Sequence, residues 1–506
     1  MNITDPIWRH ADNFPDRQAV LLEGQALSFA MLRRDIEGAA ANLAGRGIKS
    51  GQRVLVGAPN PVLHLVVVLA LARLGAISVA TNYSLAPEIQ AALARKFGAT
   101  AFVRSFEQWK IAGIADGAHL IAKTLIADRS GPAPIYPDAG DCADRPWRVA
   151  LSSGTTGMPK GISWTHQQAA RFLELLQSVW PCGASERVLA LMGAGSTFTL
   201  NQMMRQLCAG GAVVVPKTME SADVFAAISR LGVTQLLTST AGAWNLLQYA
   251  KSVDPAEVVA ARRMGYFVLG GSAVSPALQM ELRERICPNL AITYGSTESG
   301  MLVRADPDTL REFPHAAGHL VPWAEGEAVD DAGRPLARGE PGLLRFRIPY
   351  AASGYEGDAE ATAKVFRDGW YYPGDTGSID DAGLVTLGAR ADDIVNIAGT
   401  KIDPLRIEAV LAEDPAIREC AVVGVMTERN VPNLVAVVVT NAPIDEQALR
   451  AACRERLGPE FAPARFVVAS RLPRGEDGKI LRREIAENVR TGRQPDGPSG
   501  NAARLH

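Results

Sequence analysis

The apolar positions in the first part of the chain follow two alternating spacings. In residues 32–43 they recur every three to four positions, as on one face of a helix, and Gly45 and Gly47 end the pattern. Short apolar runs that suit strands then alternate with further helical stretches. The predicted strands are 52–56, 76–80, 147–151, 188–191, 212–215, 235–237, 266–269 and 290–292, and the predicted helices are 61–74, 202–207, 222–231 and 276–285. This alternation predicts parallel sheets covered by helices, an α/β fold.

The pattern changes after about residue 320. Short strands such as 342–347 then lie among turn residues, which indicates a β-rich subdomain. A compact α+β unit follows Asp392. Its predicted elements are helix 404–411, strands 420–425 and 434–439, helix 446–457 and strand 466–469.

The length also calls for more than one domain. A chain of 506 residues exceeds the ~250–300 at which a single core stops growing. We expect an N-terminal domain at 1–391, whose β-rich subdomain covers about 320–391, and a C-terminal domain at 392–490. Residues 491–506 have almost nothing to bury and are predicted to be a disordered tail.

Composition excludes several classes of function. A hydrophobic fraction of 47% with 21% charged residues is that of a globular protein with a large core. Lys and Arg number 52 against 54 Asp and Glu, a net charge of -2 without a basic tail, so nucleic acid and anionic membranes are not expected partners. The six scattered cysteines form no C-x-x-C pair, which argues against a disulfide framework or a zinc site.

The chain is expected to be cytoplasmic. Its N-terminal segment has acidic residues and no apolar signal region. The most apolar stretch, 65–72, is far shorter than the ~20 residues that span a bilayer, and it is interpreted as part of a buried helix.

The stretch SSGTTGMPKG at 152–161 is the strongest candidate for phosphate binding. Its glycines let backbone amides approach an anion, its hydroxyls add donors, and Lys160 adds a positive charge. It is not a P-loop, because Pro159 precedes the lysine and Gly161 follows it. Since proline disfavours a helix start, the loop is expected to join its preceding strand to another extended segment at 162–164, as a flap over phosphates. The structural alternative is a surface turn rich in small residues.

Three further clusters follow predicted strands. YGSTE at 294–298 offers a ring for a purine, a hydroxyl for a phosphate, and Glu298 for Mg²⁺, which prefers carboxylate plus phosphate oxygens. GGSA at 270–273 has two positions without side chains, against which a flat ring can lie. Asp375 offers a carboxylate that can accept both hydroxyls of a ribose. Each cluster has a structural alternative: a helix cap, a turn before the next helix, and an aspartate in a β-turn.

Taken in order, five segments resemble the adenylate-forming superfamily of acyl-CoA synthetases, peptide-synthetase adenylation domains and luciferases. The segments are SSGTTGMPKG, YGSTE, GYEGDAEATAKVFRDGWYYPGD, GARADDIVNIAGTKIDPLRIE and GEDGKILRRE, and the resemblance covers roughly residues 10–490. It implies a large N-terminal domain of stacked αβαβα sheets with a β-rich subdomain, and a small mobile α+β C-terminal domain. A lone exposed lysine such as Lys479 is usually only a solvated charge, and it gains significance through this combination.

The resemblance also implies ATP and Mg²⁺ and assigns the residues that bind them. The loop residues would be Ser152, Ser153, Gly154, Thr155, Thr156, Gly157 and Lys160, with Thr155, Thr156 and Lys160 over the β- and γ-phosphates. Adenine would be surrounded by Gly271, Ser272, Ala273 and Tyr294, with Gly295 beside them. The ribose side would be bound by Asp375 and Arg390, with Lys401 also in the cofactor site.

The same resemblance implies the catalytic residues. Thr297 would contact the α-phosphate, Glu298 would hold Mg²⁺, and Lys479 would bridge the substrate carboxylate and the α-phosphate. Asp392 matches the hinge about which the small domain rotates between two half-reactions.

Three positions depart from the usual pattern of the superfamily. Pro373 stands where threonine is common, Ala389 where glycine often precedes the arginine, and Lys401 where arginine is frequent. These departures bear on rates more than on the class of reaction.

The acid to be activated is expected to lack an amino group. Phe198 lies near the position at which amino-acid-activating relatives carry an aspartate, and an apolar ring cannot offset a buried ammonium. An aromatic or aliphatic acid is therefore expected, and a benzoate-like and a medium-chain acid both remain open. The candidate pocket residues, which alternatively only pack the core, are Gly193, Gly195, Phe198, Trp244 and Met301.

The acceptor is expected to be a free nucleophile or a separate carrier protein, because the chain carries no carrier domain. Coenzyme A is the first hypothesis, with an amine or an acyl carrier protein as alternatives. A nucleotide-binding module without activity is disfavoured by Lys479. A monomer or a homodimer is expected.

Overall fold

The computed structural model describes most of the chain. The described residues are 1–81, 85–105, 110–125, 134–152, 158–397, 400–426, 432–474 and 480–494, without the side chains of Asn396, Lys401 and Pro432. Contacts divide the chain into two compact units. The first unit comprises Met1–Glu325 and Phe346–Tyr371, and the second comprises Gly326–Arg345 and Tyr372–His506.

The helices fall in both units. They are α1 (Asp5–Asn13), α2 (Phe29–Gly45), α3 (Pro61–Arg73), α4 (Pro87–Phe97), α5 (His166–Val179), α6 (Thr197–Cys208), α7 (Ser221–Leu231), α8 (Thr240–Ser252), α9 (Pro255–Val258), α10 (Pro276–Arg285), α11 (Pro307–Glu312), α12 (Ala359–Val365), α13 (Pro404–Leu411), α14 (Glu446–Leu457) and α15 (Arg482–Arg490).

The strands of the first unit and its border with the second are β1 (Gln18–Leu22), β2 (Gln25–Ser28), β3 (Arg53–Gly57), β4 (Ile77–Ala80), β5 (Ala99–Arg104), β6 (His119–Ile121), β7 (Pro146–Ser152), β8 (Lys160–Thr165), β9 (Arg187–Ala190), β10 (Ala212–Val214), β11 (Gln235–Ser239), β12 (Tyr266–Gly270), β13 (Leu290–Ser296), β14 (Gly300–Ala305), β15 (Gly318–Leu320), β16 (Glu325–Val329), β17 (Gly342–Arg347), β18 (Phe366–Arg367) and β19 (Trp370–Tyr371). Those of the second unit are β20 (Asp375–Ile379), β21 (Leu384–Arg390), β22 (Val395–Ile397), β23 (Thr400–Ile402), β24 (Ile417–Met426), β25 (Pro432–Thr440) and β26 (Arg465–Val468).

The first unit contains two mainly parallel sheets, which confirms the predicted α/β architecture. One has the strand order β6-β5-β3-β4-β7-β8 and is parallel up to β7. The other contains the run β14-β13-β12-β11-β9-β10-β1-β2, which is parallel from β13 to β1 and antiparallel at both ends. Helix α3 is buried on almost every side, as its continuous apolar sequence predicts.

The hairpin β7–β8 frames the candidate phosphate loop. Ser152 and Lys160 are paired across the two antiparallel strands. Strand β8 therefore begins directly after Pro159, which confirms the predicted extended segment. Gly161 is needed in this strand, because a Cβ there would lie only 2.3 Å from the Phe97 ring.

The C-terminal part of the second unit is the predicted α+β domain. Strands β24 and β25 are antiparallel, and β26 adds to β25 in parallel. Alternate residues of these strands enter two hydrophobic clusters, one with Val422 and Ala436 and the other with Val423 and Val437. The sheet is thus buried on both faces by helices α13, α14 and α15.

Two element boundaries differ from the sequence prediction. Helix α6 begins at Thr197 rather than at 202, because the Ser196 hydroxyl accepts a hydrogen bond from the Thr199 amide and caps the helix earlier. Strand β13 continues through Ser296, so Tyr294 and Gly295 lie in the strand and not beyond it.

The predicted domain boundary and tail stay predictions. The contact division groups most of the β-rich stretch before Asp392 with the C-terminal elements, and it identifies no hinge. Most of the predicted tail, from residue 495 onward, lies outside the described residues. No helix within the described ranges is long and apolar enough to cross a membrane.

Candidate active site

The candidate nucleotide residues of the first unit lie at the carboxyl ends of neighbouring parallel strands. Ser239 of β11 is level with Gly270 of β12, which is level with Thr293 of β13. Beyond β12 the Ser272 hydroxyl donates to the Thr240 hydroxyl at 2.9 Å. The GGSA and YGSTE segments are therefore adjacent, at the edge where open α/β sheets bind ligands.

Gly270 brings a candidate substrate residue against this edge. A Cβ at Gly270 would lie 3.3 Å from Cε2 of Phe198 and 3.1 Å from Oγ1 of Thr293. The ring of Phe198 therefore contacts the strand end where a side chain would not fit. The alternation of strands and helices in the sequence gives no signal for this contact between Gly270 and Phe198.

The other candidate pocket residues are less closely connected. Trp244 packs against the hydrophobic core around β11 and β12. This contact corresponds to the alternative in which Trp244 only packs the core. Met301 is buried opposite Gly295 in the β13–β14 pair. Gly193 has a φ of +81° with open space around its Cβ position, whereas a Cβ at Gly195 would lie 3.1 Å from the carbonyl oxygen of Thr81.

Gly295 has a structural role that the sequence assignment missed. A Cβ at this position would lie 1.9 Å from the carbonyl oxygen of Gly300 on the neighbouring strand. The glycine of YGSTE is therefore required by the close approach of β13 and β14, whatever contact it makes with a nucleotide.

Glu298 lies in a polar cluster that includes the loop lysine. Its side chain is 8% exposed, and its Oε1 accepts a hydrogen bond of 2.8 Å from the Tyr355 hydroxyl. The Nζ of Lys160 lies 4.9 Å from the centroid of the Tyr355 ring, within the range of a cation–π contact. The ring thus lies between the carboxylate and the ammonium, and Tyr355 was not singled out in the sequence.

The turn that forms YGSTE is held by its own hydroxyls. The Ser296 hydroxyl accepts from the Glu298 amide at 3.2 Å and shares a 2.7 Å hydrogen bond with the Tyr371 hydroxyl. The Ser299 hydroxyl accepts from the Ser296 amide at 3.2 Å. Thr297 is half-buried within this turn, next to Glu298.

The residue after Tyr355 anchors the strand that carries Lys160. The Glu356 amide donates to the Gly161 carbonyl at 2.9 Å, and its carboxylate accepts from the Ser163 hydroxyl. The same carboxylate accepts two hydrogen bonds from Arg53, at 2.5 and 3.1 Å. Glu356, which follows Tyr355, is therefore hydrogen-bonded to the strand that begins with Lys160.

The second unit brings together the two candidate ribose residues. Asp375 and Arg390 are opposite each other on β20 and β21, and Nη1 of Arg390 donates to Oδ1 of Asp375 at 3.4 Å. The other guanidinium nitrogen, Nη2, donates to the Pro373 carbonyl at 3.0 Å. Backbone at the unusual Pro373 thus takes part in orienting the arginine.

The unusual Ala389 and the hinge candidate also have identified contacts. The Ala389 amide donates to Asp403 at 3.0 Å, a bond that needs no glycine. Asp392 is exposed and accepts a 3.1 Å hydrogen bond from Arg483.

Several assigned residues lie outside the described part of the chain. They are Ser153, Gly154, Thr155, Thr156 and Gly157 of the loop, Lys479, and the side chain of Lys401. Ser152 is described as the last residue of β7.

The described residues fit Mg²⁺ through a single carboxylate. Within the described ranges, no three or more His, Cys, Asp or Glu residues are grouped to hold a metal ion. Mg²⁺ usually binds one or two carboxylates together with substrate phosphates and waters, so it does not need such a group. Glu298, buried at the strand end and facing the Lys160 region, suits this kind of site.

Comparison with known proteins identifies the family of the chain. The model of the AMP-binding enzyme family matches residues 7–356, and the model of the AMP-binding enzyme C-terminal domain matches 406–479. A feruloyl-CoA synthase from Amycolatopsis sp is 29% identical over 486 residues, which cover 94% of this chain and 97% of that protein. A fatty acid–[acyl-carrier-protein] ligase from Streptomyces coeruleorubidus is 28% identical over 499 residues, which cover 94% of both chains.

A solved structure of similar fold was also found. The amide bond synthetase of Marinactinospora thermotolerans matches with a TM-score of 0.82 and 25% identity, over 97% of this chain and 99% of that one.

Proposed function

We propose that this chain, which belongs to the AMP-binding enzyme family, is an ATP-dependent carboxylic acid:CoA ligase. It would form an acyl-adenylate, release pyrophosphate and transfer the acyl group to the thiol of coenzyme A. The observation that carries the proposal is the contact of Tyr355 with both Glu298 and Lys160 at the carboxyl edge of the large sheet. A buried carboxylate and a loop ammonium on the same tyrosine support the proposal that a magnesium–triphosphate binds there.

The first half-reaction makes the acid reactive. A carboxylate oxygen attacks the α-phosphorus of ATP, the bond from that phosphorus to the bridging oxygen breaks, and pyrophosphate leaves. The approach brings two anions together, so positive charge and in-line positioning are the main requirements. Lys160 would bind the terminal phosphates, and Mg²⁺ held by Glu298 would offset their charge. The assignments of Thr297 to the α-phosphate and of Gly271, Ser272, Ala273 and Tyr294 to adenine stay part of this proposal.

The second half-reaction transfers the acyl group. The thiol sulfur attacks the carbonyl carbon, AMP leaves with its electron pair, and the thiol proton passes to solvent. In the proposal Asp375 and Arg390 bind the ribose side of the nucleotide, which their mutual hydrogen bond pre-orients. Lys479 would act in the first half-reaction, and rotation of the small domain about Asp392 would move it out of the site before the second.

The acid is proposed to be aromatic or aliphatic and to lack an amino group. Phe198 lies against Gly270 at the strand end, so an apolar ring occupies the region assigned to the acyl group. A carboxylate that could pair with a substrate ammonium is absent from the hydrogen bonds that the described residues around Phe198 make.

The relatives indicate three candidate acceptors for the second half-reaction. CoA is placed first because a feruloyl-CoA synthase is among the relatives that match nearly the full chain. An acyl carrier protein is the second candidate, since a fatty acid–[acyl-carrier-protein] ligase is similar over the same span. An amine is the third, because the fold also matches an amide bond synthetase.

The test is pyrophosphate release with a panel of carboxylic acids, followed by mass spectrometry of the products. Incubation with CoA, amines or a carrier protein should give a thioester, an amide or an acylated carrier, and CoA thioester is expected. Lys479→Ala should abolish acid-dependent pyrophosphate release and leave ATP binding intact. The exposed Lys364, which pairs with Glu360, provides the matched control Lys364→Ala with unchanged release.

The hinge assignment has its own test. Asp392→Pro is expected to keep adenylate formation and to impair acyl transfer, because only the second half-reaction needs the rotated domain. Equal loss of both half-reactions would contradict the hinge, and unchanged release in Lys479→Ala would contradict the assigned lysine.

A further inference from the structure

Arg148 is a buried arginine beside the candidate substrate segment. It lies on β7, four residues before Ser152, and is 2% exposed. Its Nη2 donates to the Gly195 carbonyl at 3.0 Å and reaches the Thr197 hydroxyl at 3.5 Å, whereas its Nε has no hydrogen-bond partner. Within the described ranges, no carboxylate forms an ion pair with it.

A second unsatisfied polar side chain lies next to it. His64 of α3 is 1% exposed, and the contact of its ring with the Ala58 backbone falls short of full hydrogen-bond geometry. Its Cε1 would lie 3.9 Å from a Cβ placed on Gly195. Burial and the nearby Arg148 charge lower the pKa of His64 to about 3, against a smaller opposing effect of the Ala58 carbonyl, so the ring is neutral at physiological pH.

The two side chains lie at the part of the first unit where the acyl group is proposed to bind. Arg148 is level with Ser78 in the first half of β7, and the next residue beyond β4, Thr81, approaches Gly195. From Gly195 the chain enters α6, whose Phe198 contacts Gly270. One loop thus connects the guanidinium to the ring that faces the candidate adenine residues.

Electrostatics indicates what this arrangement lacks. A buried guanidinium is unfavourable unless an anion or several acceptors surround it. Among the described residues, Arg148 has two oxygen acceptors, both on Nη2. Burial lowers the pKa of Arg148 to about 10, which still leaves it charged at neutral pH. A neutral imidazole beside it can donate one further hydrogen bond without adding charge.

We propose that Arg148 and His64 bind a second carboxylate at the far end of the acyl substrate, so that the preferred substrates are dicarboxylic acids. The inference rests on the proposed function and narrows its acid class. A planar guanidinium recognises a carboxylate through parallel hydrogen bonds, which favours this group over other acceptors such as a hydroxyl or a ketone. The other reading, in which carbonyl dipoles alone stabilise the cation, predicts no preference among acids.

The test compares matched pairs of acids that differ only in the distal group. Hexanoate is compared with hexanedioate, and 4-methylbenzoate with benzene-1,4-dicarboxylate, by the kcat/KM of pyrophosphate release. The native enzyme is expected to prefer the diacid of at least one pair roughly 10- to 100-fold, the range of a charged hydrogen-bonded pair. Arg148→Met should remove this preference mainly through KM, and Arg148→Lys should restore part of it.

A matched control is another buried arginine of the same unit. Arg205→Met removes a guanidinium that contacts Pro181 and Gln235, away from the Gly195 loop, and should leave the diacid preference unchanged. Equal rates for both members of both pairs in the native enzyme would overturn the proposal without any variant. A diacid preference that survives in a folded Arg148→Met protein would overturn it as well.

Calorimetric binding of the same acids separates this proposal from the function on which it rests. Absence of pyrophosphate release with every acid would count against the ligase assignment. Diacid binding that is still detected, and that is lost in Arg148→Met, would support the carboxylate site. Equal binding of diacids and monoacids would contradict the carboxylate site.

Discussion

Two arginines that are largely shielded from solvent, in different regions of the molecule, are accommodated in opposite ways. In the second unit, Arg482 at the start of α15 pairs through both Nη atoms with the carboxylate of Glu408, and its Nη1 also donates to the Val422 carbonyl at 3.2 Å. In the first unit, Arg148 has only a backbone carbonyl and a hydroxyl. The difference teaches that a charge paired within the fold makes its partner costly to remove, whereas a charge that none of the described carboxylates pairs with leaves no such partner behind when it is removed.

The pKa values follow the same contrast. Burial would lower the pKa of Arg482, but the charge and hydrogen bonds of Glu408 outweigh it and raise the pKa above the usual value. For Arg148 burial acts alone and lowers the pKa to about 10. The pKa of Arg205 resembles that of Arg148, since burial lowers it to about 10 as well. Its contacts are intermediate, because Gln235 accepts a hydrogen bond from Arg205 and donates one to Glu186.

The largest effect is expected from breaking the paired site. Glu408→Gln removes the hydrogen-bonded counter-charge of Arg482 and leaves only Asp393, 3.7 Å from its Nε. It should lower the free energy of unfolding of the second unit by about 3 kcal/mol, the lower end of the range for a broken buried pair. Hydrogen exchange of the β24 and β25 amides during urea unfolding measures this unit by itself. Glu413→Gln, which removes an exposed partner of Arg456, is the control with no measurable change expected. Similar losses in both variants would contradict the contrast.

An intermediate loss of unfolding free energy is expected when Gln235, the partner of Arg205, is replaced. Gln235 is 1% exposed, accepts from Arg205 at 2.8 Å and donates to Pro181 and Glu186 at 2.7 Å. Gln235→Leu leaves those groups without partners and should lower the free energy of unfolding by about 1–3 kcal/mol. Urea unfolding followed by tryptophan fluorescence checks this, with the exposed Gln25→Leu as control. A loss as large as that of Glu408→Gln would place Arg205 with the paired site.

A pH dependence is expected from the buried histidines of the first unit. Burial lowers the pKa of His64 to about 3 and of His166 to about 4, and the His166 Nδ1 accepts from the Ile3 amide at 3.0 Å. The unfolded chain therefore binds more protons below pH ~6.5, so stability is full above that pH and falls as the pH decreases. From pH 7 to 5.5 the free energy of unfolding should fall by about 1 kcal/mol per histidine.

Two substitutions test whether Arg148 contributes to this pH dependence of stability. His64→Gln should remove part of the dependence, and Arg148→Met should weaken it, because the guanidinium is one cause of the low pKa of His64. Unfolding curves at several pH values give the slopes. A native protein whose stability does not change between pH 7 and 5.5 would show that these rings are protonated in the fold.

The smallest effect on stability is expected at Arg148 itself. Arg148→Met removes a buried charge and orphans no carboxylate of the described residues, so the free energy of unfolding should change by less than about 1 kcal/mol or increase. The matched variant Arg482→Met orphans Glu408 and should be much less stable. A loss of several kcal/mol in Arg148→Met, measured by urea unfolding without added acids, would mean that Arg148 is part of the structural framework.

Element positions were predictable from the sequence where capping residues mark them. Helices α10, α13 and α14 have the predicted bounds, and each is preceded by a residue whose side chain caps it: Ser275, Asp403 and Asp445. Helix α5 was not assigned, although Thr165 and Gln168 form a capping box that could have located it. Strand and helix order needs only local patterns, which is why the α/β architecture was predictable.

The site was predictable only as a set of motifs. Glu298 and Lys160 were assigned from their segments, but the contact through Tyr355 joins positions far apart in the chain, and periodicity gives no signal for it. Arg148 stands in an apolar strand, where its burial depends on packing by α3 and the Gly195 loop. The requirement for Gly295 comes from the carbonyl oxygen of Gly300 on the neighbouring strand, a contact that only the folded structure shows.

The anchor formed by Glu356 has a consequence for biosynthesis. Arg53 and Ser163 leave the ribosome long before the carboxylate that binds them, and synthesis of the intervening residues takes on the order of tens of seconds at ~5–20 residues per second. During that interval the early sheet can form, yet the strand that bears Lys160 lacks its final anchor. The nascent chain can therefore acquire its framework first, and the proposed triphosphate site can be completed only after residue 356 has emerged.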